Sequence, residues 1–255
     1  MPDFRVPVLL NRLFGLLLIC VWSGAAVAAP LRIAVAANFA PTLEKLAAHY
    51  ATLGGVSPEL VRGSSGKLYA QIRQGAPFDM FFSADIARPK ALEDNGFVID
   101  GSRQDYARGR LVLWPVNKDG QRELTAFSYS RFAIANPRLA PYGRAAQDVL
   151  RHFKLEKAAA KRLVVGENIA QAYQFVHSKN ADAGLLARAQ MPPSSTDYWL
   201  IPDVWHRPIR QQRVVLTRCD DIEAARAFLA FLQTDVAKQI IRNDGYQLPT
   251  REGAE

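Results

Sequence analysis

Cysteine is scarce in this chain of 255 residues: Cys20 and Cys219 are its two, too few for a disulfide-built scaffold or a four-cysteine zinc site. Histidine is equally thin, and His49, His152, His177 and His206 show no pairing at metal-ligand spacing. Glycines and prolines are scattered singly with no repeat or low-complexity tract, which excludes fibrous and disordered classes. Common enzyme signatures are missing as well. Gly63-Ser64-Ser65-Gly66-Lys67 has lysine where a nucleophile elbow needs its second glycine. It fails as a phosphate-binding loop too, with Val61 in place of the first glycine and Leu68 where serine or threonine is required.

What is present is the profile of a soluble globular protein. The chain is 49% hydrophobic, 22% charged and 10% aromatic, with a mean hydropathy of −0.08. Its length suits one large domain or two of roughly 100–130 residues. Arg5 and Arg12 precede an apolar run from Leu13 to Trp22, followed by small residues and an A-x-A pattern ending at Ala28. That order is the mark of a secretory signal peptide. The run is well short of the ~20 residues that span a bilayer, and Ile19 is too large for lipoprotein cleavage before Cys20. The expectation is a leader over 1–28, cleavage after Ala28, and a soluble exported protein whose remaining cysteine is Cys219. The formal charge is +8; loss of Arg5, Arg12 and Asp3 with the leader would bring it to +7. The cluster Arg207, Arg210 and Arg213 lacks interleaved aromatics, so it reads as a solvated basic face rather than a nucleic-acid groove.

After the leader, short apolar strands alternate with amphipathic helices. Leu31–Ala36, Glu59–Arg62, Asp79–Phe82, Leu111–Val116, Phe132–Ala135, Leu163–Val165, Ala183–Leu186 and Val214–Thr217 read as strands. Helices are expected with Leu43, Leu46, Ala47 and Tyr50 on one face, with Leu68 and Ile72 before Gly75, over Pro89–Asn95, with Ala146, Val149, Leu150 and Phe153 inward, and from Ile169 with Tyr173 and Val176 inward. Two more, over Ile222–Leu232 and Asp235–Asn243, close the chain. This alternation implies an α/β protein of parallel-rich sheets with helices on both faces.

Position carries the functional signal. At Asn38, Ser65, Tyr142 and Ile169 a strand ends and a helix begins within a few small or polar residues. Ligands of open α/β sheets bind at the carboxyl ends of strands, and helix N-termini there offer unpaired N–H groups and a positive dipole end. Asn38 and Ser65 can add side-chain donors. Each residue can equally be a plain helix cap. Asp79 and Asp85 can be read as an acidic pair but suit strand-end and cap roles at least as well, and Cys219 reads as a buried or idle thiol.

The segments AANFAPTLEKLA, SSGKLYAQIRQGAPFDMFFSADIARP, GRLVLWPV, FAIANPRLAPYGRAA, VVGENIAQAYQFV and DAGLLARAQ, in this order, resemble the periplasmic molybdate-binding proteins of ABC transporters. The resemblance runs from about Ala29 to Thr250. It implies the type II periplasmic-binding fold: two α/β lobes joined by two crossing strands, an oxyanion in the cleft, and no resident cofactor. One lobe would hold 29–109 plus 217–255 and the other 110–216, with LVLWPV and RVVLT as crossings. The family's ligand-contacting positions fall on Asn38, Ser65, Tyr142 and Ile169, with Tyr142 and Ile169 acting through backbone N–H. Ala37 stands where some members have threonine, and Ala187 where others have a ligand tyrosine. Tyr173 and Ser64 are the candidates to replace those donors. The implied function is a monomeric, non-enzymatic periplasmic receptor that captures molybdate or tungstate and delivers it to an ABC permease, with no nucleic-acid partner. The alternatives are a receptor for another oxyanion or small organic anion, and a hydrolase using Ser65.

Overall fold

The computed structural model describes residues 29–192 and 194–249. The expected leader, its cleavage point and Cys20 lie outside the described residues. In chain order the elements are β1 (Arg32–Ala36), α1 (Ala40–Thr52), β2 (Glu59–Gly63), α2 (Ser65–Arg73), β3 (Met80–Ser83), α3 (Ala87–Asp94) and β4 (Gln104–Gly109). Then follow β5 (Leu111–Trp114), α4 (Gly120–Ala126), β6 (Phe132–Ala135), α5 (Pro141–His152), α6 (Glu156–Ala159), β7 (Leu163–Gly166), α7 (Ile169–His177), β8 (Ala183–Ala187) and β9 (Trp199–Leu200). The chain ends on β10 (Ile209–Val215), α8 (Ile222–Phe231) and α9 (Asp235–Asn243).

These strands make two sheets, ordered β2-β1-β3-β10-β4 and β7-β6-β8-β5-β9. The strands that alternate with helices pair in parallel, β2-β1-β3 in one sheet and β7-β6-β8 in the other. The strands that follow a crossing pair antiparallel to their neighbours: β10 against β3 and β4, β5 against β8 and β9. The sheets are therefore mixed rather than parallel throughout. The parallel strands end at the cleft between the sheets, and a strand arriving from the opposite sheet starts there, so it must run the other way.

The chain leaves the first sheet through Arg110, between β4 and β5, and returns between Leu200 and Ile209. Asp203 on the return path pairs with Arg108 at 3.5 Å and Arg110 at 3.3 Å on the outward path. The expected second lobe of 110–216, with its return crossing at RVVLT, is corrected here, because Ile209–Val215 belongs to the first sheet. The expected strand at Val214–Thr217 catches only the end of β10; the polar run Gln211-Gln212-Arg213 hides the rest in the sequence, yet all three side chains are buried. Gln212 Nε2 donates to Asp105 Oδ1 at 2.7 Å, and Arg213 donates to Gln104 Oε1 at 2.6 Å and to the Ser102 carbonyl at 3.1 Å. The expected solvated basic face holds for the exposed Arg207, which pairs with Asp148, and in part for the half-exposed Arg210, which pairs with Asp105, but not for Arg213, whose guanidinium burial lowers to about 10. β4, rich in polar residues, and the two-residue β9 also escape the apolar pattern.

Period-two alternation splits the first sheet between two cores. Ile33, Val35, Met80, Phe82 and Val215 face α1, α8 and α9, whereas Ala34, Phe81 and Val214 face α2 and α3. The second sheet packs with α5 and α7 into one core that also takes in Ala36, Ala37 and Ala84 of the first lobe. Pro41 and Pro141 stand in the first turns of α1 and α5, where a missing N–H costs nothing and the fixed φ favours the helix. Gly143 lets that first turn of α5 lie directly on β6: an added Cβ would meet the Ala135 carbonyl oxygen at 2.2 Å. Gly143→Ala is expected to cost about 1–3 kcal/mol through overpacking, read as a lower denaturant midpoint with an unchanged slope.

Candidate functional site

Between the sheets lies a small cleft of about 10 Å3. Asn38, Ser65, Tyr142 and Ile169 all line it, two from each lobe, and each is only 1–3% exposed (Ser65 and Tyr142 1%, Asn38 2%, Ile169 3%). Ser65 and Ile169 are the first residues of α2 and α7, and Tyr142 the second of α5. Asn38 lies in the turn that Phe39 N–H closes on the Ala36 carbonyl at 2.8 Å, just ahead of α1. A helix leaves its first N–H groups without intrahelical acceptors. Among the described residues, the backbone N–H groups of Asn38, Ser65, Tyr142 and Ile169 have no protein acceptor. Four unpaired donors, three of them at positive helix ends, thus surround one buried space. No charged side chain lines it among the described residues.

The caps show how the donors are kept free. Ser64 Oγ accepts from Lys67 N–H at 3.3 Å, and Asn168 Oδ1 accepts from Gln171 N–H at 3.0 Å. These caps serve N–H groups deeper in each helix and leave Ser65 and Ile169 N–H toward the cleft. The Ser65 hydroxyl accepts from Ala84 N–H at 3.0 Å, which occupies its oxygen and leaves its proton to donate. Ser65 therefore brings two donors, one backbone and one side chain.

Asn38 behaves otherwise than its side chain suggests. Its Nδ2 donates to Gln211 Oε1 at 2.9 Å and to Tyr246 Oη at 3.1 Å, and Tyr246 Oη donates to the Asn38 carbonyl at 2.7 Å. Both amide protons point into the first lobe, so Asn38 offers the cleft its backbone N–H and not its side-chain amide. Of the two candidate extra donors, Ser64 lines the cleft. Tyr173 does not; it is half-buried and stacks on Trp114 at 5.4 Å. Behind Ala187, Gln190 Oε1 accepts from Ala187 N–H at 3.3 Å and its Nε2 donates to the Ile169 carbonyl at 3.1 Å. Gln190 thereby holds the first turn of α7, a role that sequence reasoning missed.

Charges gather at the rim instead. Asp85 is paired by Arg88 of its own lobe and by Arg144 of the other, and Ser83 Oγ donates to its Oδ1 at 3.0 Å. Burial lowers the basicity of Arg88, with Asp85 offsetting part of that. Lys67 reaches Glu167 across the cleft at 2.9 Å, and Gly66 N–H donates to the Leu139 carbonyl at 2.9 Å. These contacts draw the lobes together around the site. Asp79 caps the other end of the sheet by accepting from Arg32 N–H at 2.6 Å. Cys219 is buried, and burial first, with Asp79 beside it, pushes its thiol up to about 11. His152 and His177 are exposed. Among the described residues no group of three His, Cys, Asp or Glu could hold a metal ion, and no helix is long and apolar enough to cross a membrane.

Residues 31–247 match the family described as bacterial extracellular solute-binding protein. The chain is 38% identical over 217 residues to the molybdate-binding protein of Rhodobacter capsulatus, covering 84% of this chain and 86% of that protein. It is 38% identical over 232 residues to the molybdate-binding protein of Azotobacter vinelandii, covering 88% and 92% respectively. The solved structure of the periplasmic molybdate-binding protein from Azotobacter vinelandii superposes with a TM-score of 0.83 at 36% identity, over 86% of this chain and 100% of that one.

The rim contacts generate a prediction. Removing the Asp85 bridge across the cleft with Arg144→Met leaves Asp85 its own-lobe partner Arg88 and is expected to shift the closed-to-open balance about fivefold, or ~1 kcal/mol. Solution X-ray scattering of the protein alone should then give a larger radius of gyration than wild type. Identical profiles would show that the pair does not hold the lobes.

Proposed function

The chain belongs to the bacterial extracellular solute-binding protein family, and from that premise we propose that it is a periplasmic receptor that captures molybdate and tungstate and delivers them to an ABC permease. The observation that carries this reading is the set of unpaired, uncharged donors around one small buried cleft, contributed by both lobes. A tetrahedral dianion leaves water only where its oxygens receive comparable hydrogen bonds, and bonds to an ionised acceptor are the strong ones. Backbone N–H groups of Asn38, Ser65, Tyr142 and Ile169, with the Ser65 hydroxyl, supply such bonds without a fixed ion pair that would hinder release. The backbone groups are donors only, so an oxyanion that keeps a proton and needs an acceptor is disfavoured at them. Closure of the two lobes completes the shell.

Size separates the oxyanions: molybdate and tungstate have longer metal–oxygen bonds than sulfate, and a cleft fitted to them holds sulfate loosely. The receptor works as a monomer, is exported by a leader removed after Ala28, carries no cofactor and performs no catalysis. A hydrolytic role for Ser65 lacks its base, since no histidine or carboxylate lines the cleft among the described residues. Another small oxyanion is the alternative ligand that the same donors allow.

A thermal-shift panel tests the ligand. A ligand at a hundredfold excess over its dissociation constant stabilises by ~2.7 kcal/mol, so molybdate and tungstate should raise the midpoint clearly while sulfate and phosphate at equal concentration do little. A sulfate shift as large as that of molybdate would contradict the selectivity. Calorimetric titration tests the donors. A hydrogen bond to a charged group is worth roughly 1.5–3 kcal/mol, so Ser65→Ala should weaken molybdate binding about ten- to a hundredfold. Ile169→Val keeps its N–H and should change affinity only a few-fold.

A further inference from the structure

Behind the cleft, where the two crossings meet, lies a buried polar cluster that the four N–H donors do not explain. Its centre is Gln211 on β10, which is fully buried. Gln211 Oε1 accepts from Asn38 Nδ2 at 2.9 Å and from Tyr106 Oη at 2.9 Å. Two donors on one carbonyl oxygen fill its lone pairs and fix which way the amide points. The other end, Nε2, has no hydrogen-bond partner among the described residues. The hydroxyl of Tyr142, a buried side chain that enters from the second lobe, makes no well-formed hydrogen bond either, although the Gln211 amide is close enough to act on it.

These two orphans adjoin. A Cβ at Gly109, the last residue before the outward crossing, would lie 2.1 Å from Tyr142 Oη and 2.9 Å from Gln211 Nε2. Both groups therefore converge on one point of backbone that only glycine leaves open. Their polarities match as well: Nε2 has protons to give, and Oη has lone pairs to receive them. Buried polar groups rarely stay unpaired, because each costs its full desolvation when it does.

We propose that Gln211 is a positioning residue for the oxyanion site, donating through Nε2 to the Tyr142 hydroxyl in the ligand-bound protein while its Oε1 holds Asn38. This deepens, and rests on, the reading of the cleft as a molybdate site. Through its two ends Gln211 links the residue that presents a donor from the first lobe, Asn38, to one that presents a donor from the second, Tyr142. Closure around the anion then forms the amide–phenol bond together with the bonds to the ligand. The link favours the geometry in which both backbone N–H groups reach one anion, and neither Gln211 nor the phenol touches the ligand.

A double-mutant cycle with Tyr142→Phe and Gln211→Met, read by calorimetric titration with sodium molybdate and by dissociation rate, tests this. A neutral hydrogen bond corresponds to a loss of about three- to tenfold in affinity. Each single variant should show that loss, chiefly as faster release, and the double variant should lose much less than the product of the two. Losses that multiply would overturn the link. If melting curves without molybdate show that Gln211→Met does not fold, Tyr142→Phe decides alone. Weaker binding supports the bond; unchanged or tighter binding, as expected on removing a phenol buried without a partner, overturns it. Wild type titrated in the same series separates the two readings. No molybdate binding by wild type overturns the proposed ligand and this link with it, whereas normal wild-type binding with independent losses overturns the link alone.

Discussion

A backbone N–H buried away from water must have an acceptor or cost free energy comparable to a lost hydrogen bond, and most of this molecule can be understood from where that requirement is left unmet. Around the cleft it is unmet at Asn38, Ser65, Tyr142 and Ile169, among others. Each vacancy costs about 1–3 kcal/mol when dry. Closing the lobes over an unfilled cleft therefore works against the rim contacts of Asp85 with Arg144 and Lys67 with Glu167. Opening lets water satisfy the donors, and an anion satisfies them with the lobes closed. Ligand-dependent closure follows from differential bonding in the two states.

The rest of the fold serves to keep those donors both free and fixed. Ser64 and Asn168 spend their side chains on the N–H groups of Lys67 and Gln171, one turn into their helices. The Ser65 oxygen accepts from Ala84 N–H, and its hydroxyl proton remains available to donate. Gly143 allows α5 to start in contact with β6, and Gln190 braces the Ile169 carbonyl from behind. Charge is kept one layer back. Arg88 and Arg144 share Asp85 and Lys67 pairs with Glu167, so the positive field near the cleft is spent on holding lobes rather than on the ligand.

Much of this was legible in the sequence, for a local reason. A strand that ends in small or polar residues before a helix marks both a sheet edge and a helix start, and that signal lies within a few residues at ANFAP, GSSGK, APYG and GENI. What was not legible depends on distance along the chain. Asn38 and Gln211 meet across 173 residues and Asn38 and Tyr246 across 208, so no local pattern could show that the Asn38 amide faces inward. β10 was legible at Val214 and Val215, and its first part was hidden for the opposite reason: its Gln211-Gln212-Arg213 run looks solvated, and only the partners supplied by Asp105, Gln104 and Ser102 make the burial of Gln212 and Arg213 tolerable. The misplaced lobe boundary follows from that one strand.

The account turns on neutral main-chain donors from both lobes meeting one anion. The most direct measurement is a crystal structure of the protein grown with molybdate. The ion should lie between the N-termini of α2, α5 and α7, with its oxygens at hydrogen-bond distance from the N–H groups of Asn38, Ser65, Tyr142 and Ile169 and from the Ser65 hydroxyl. A molybdate ion held instead by the guanidinium groups of Arg88 or Arg144, or seated outside this cleft, would contradict it.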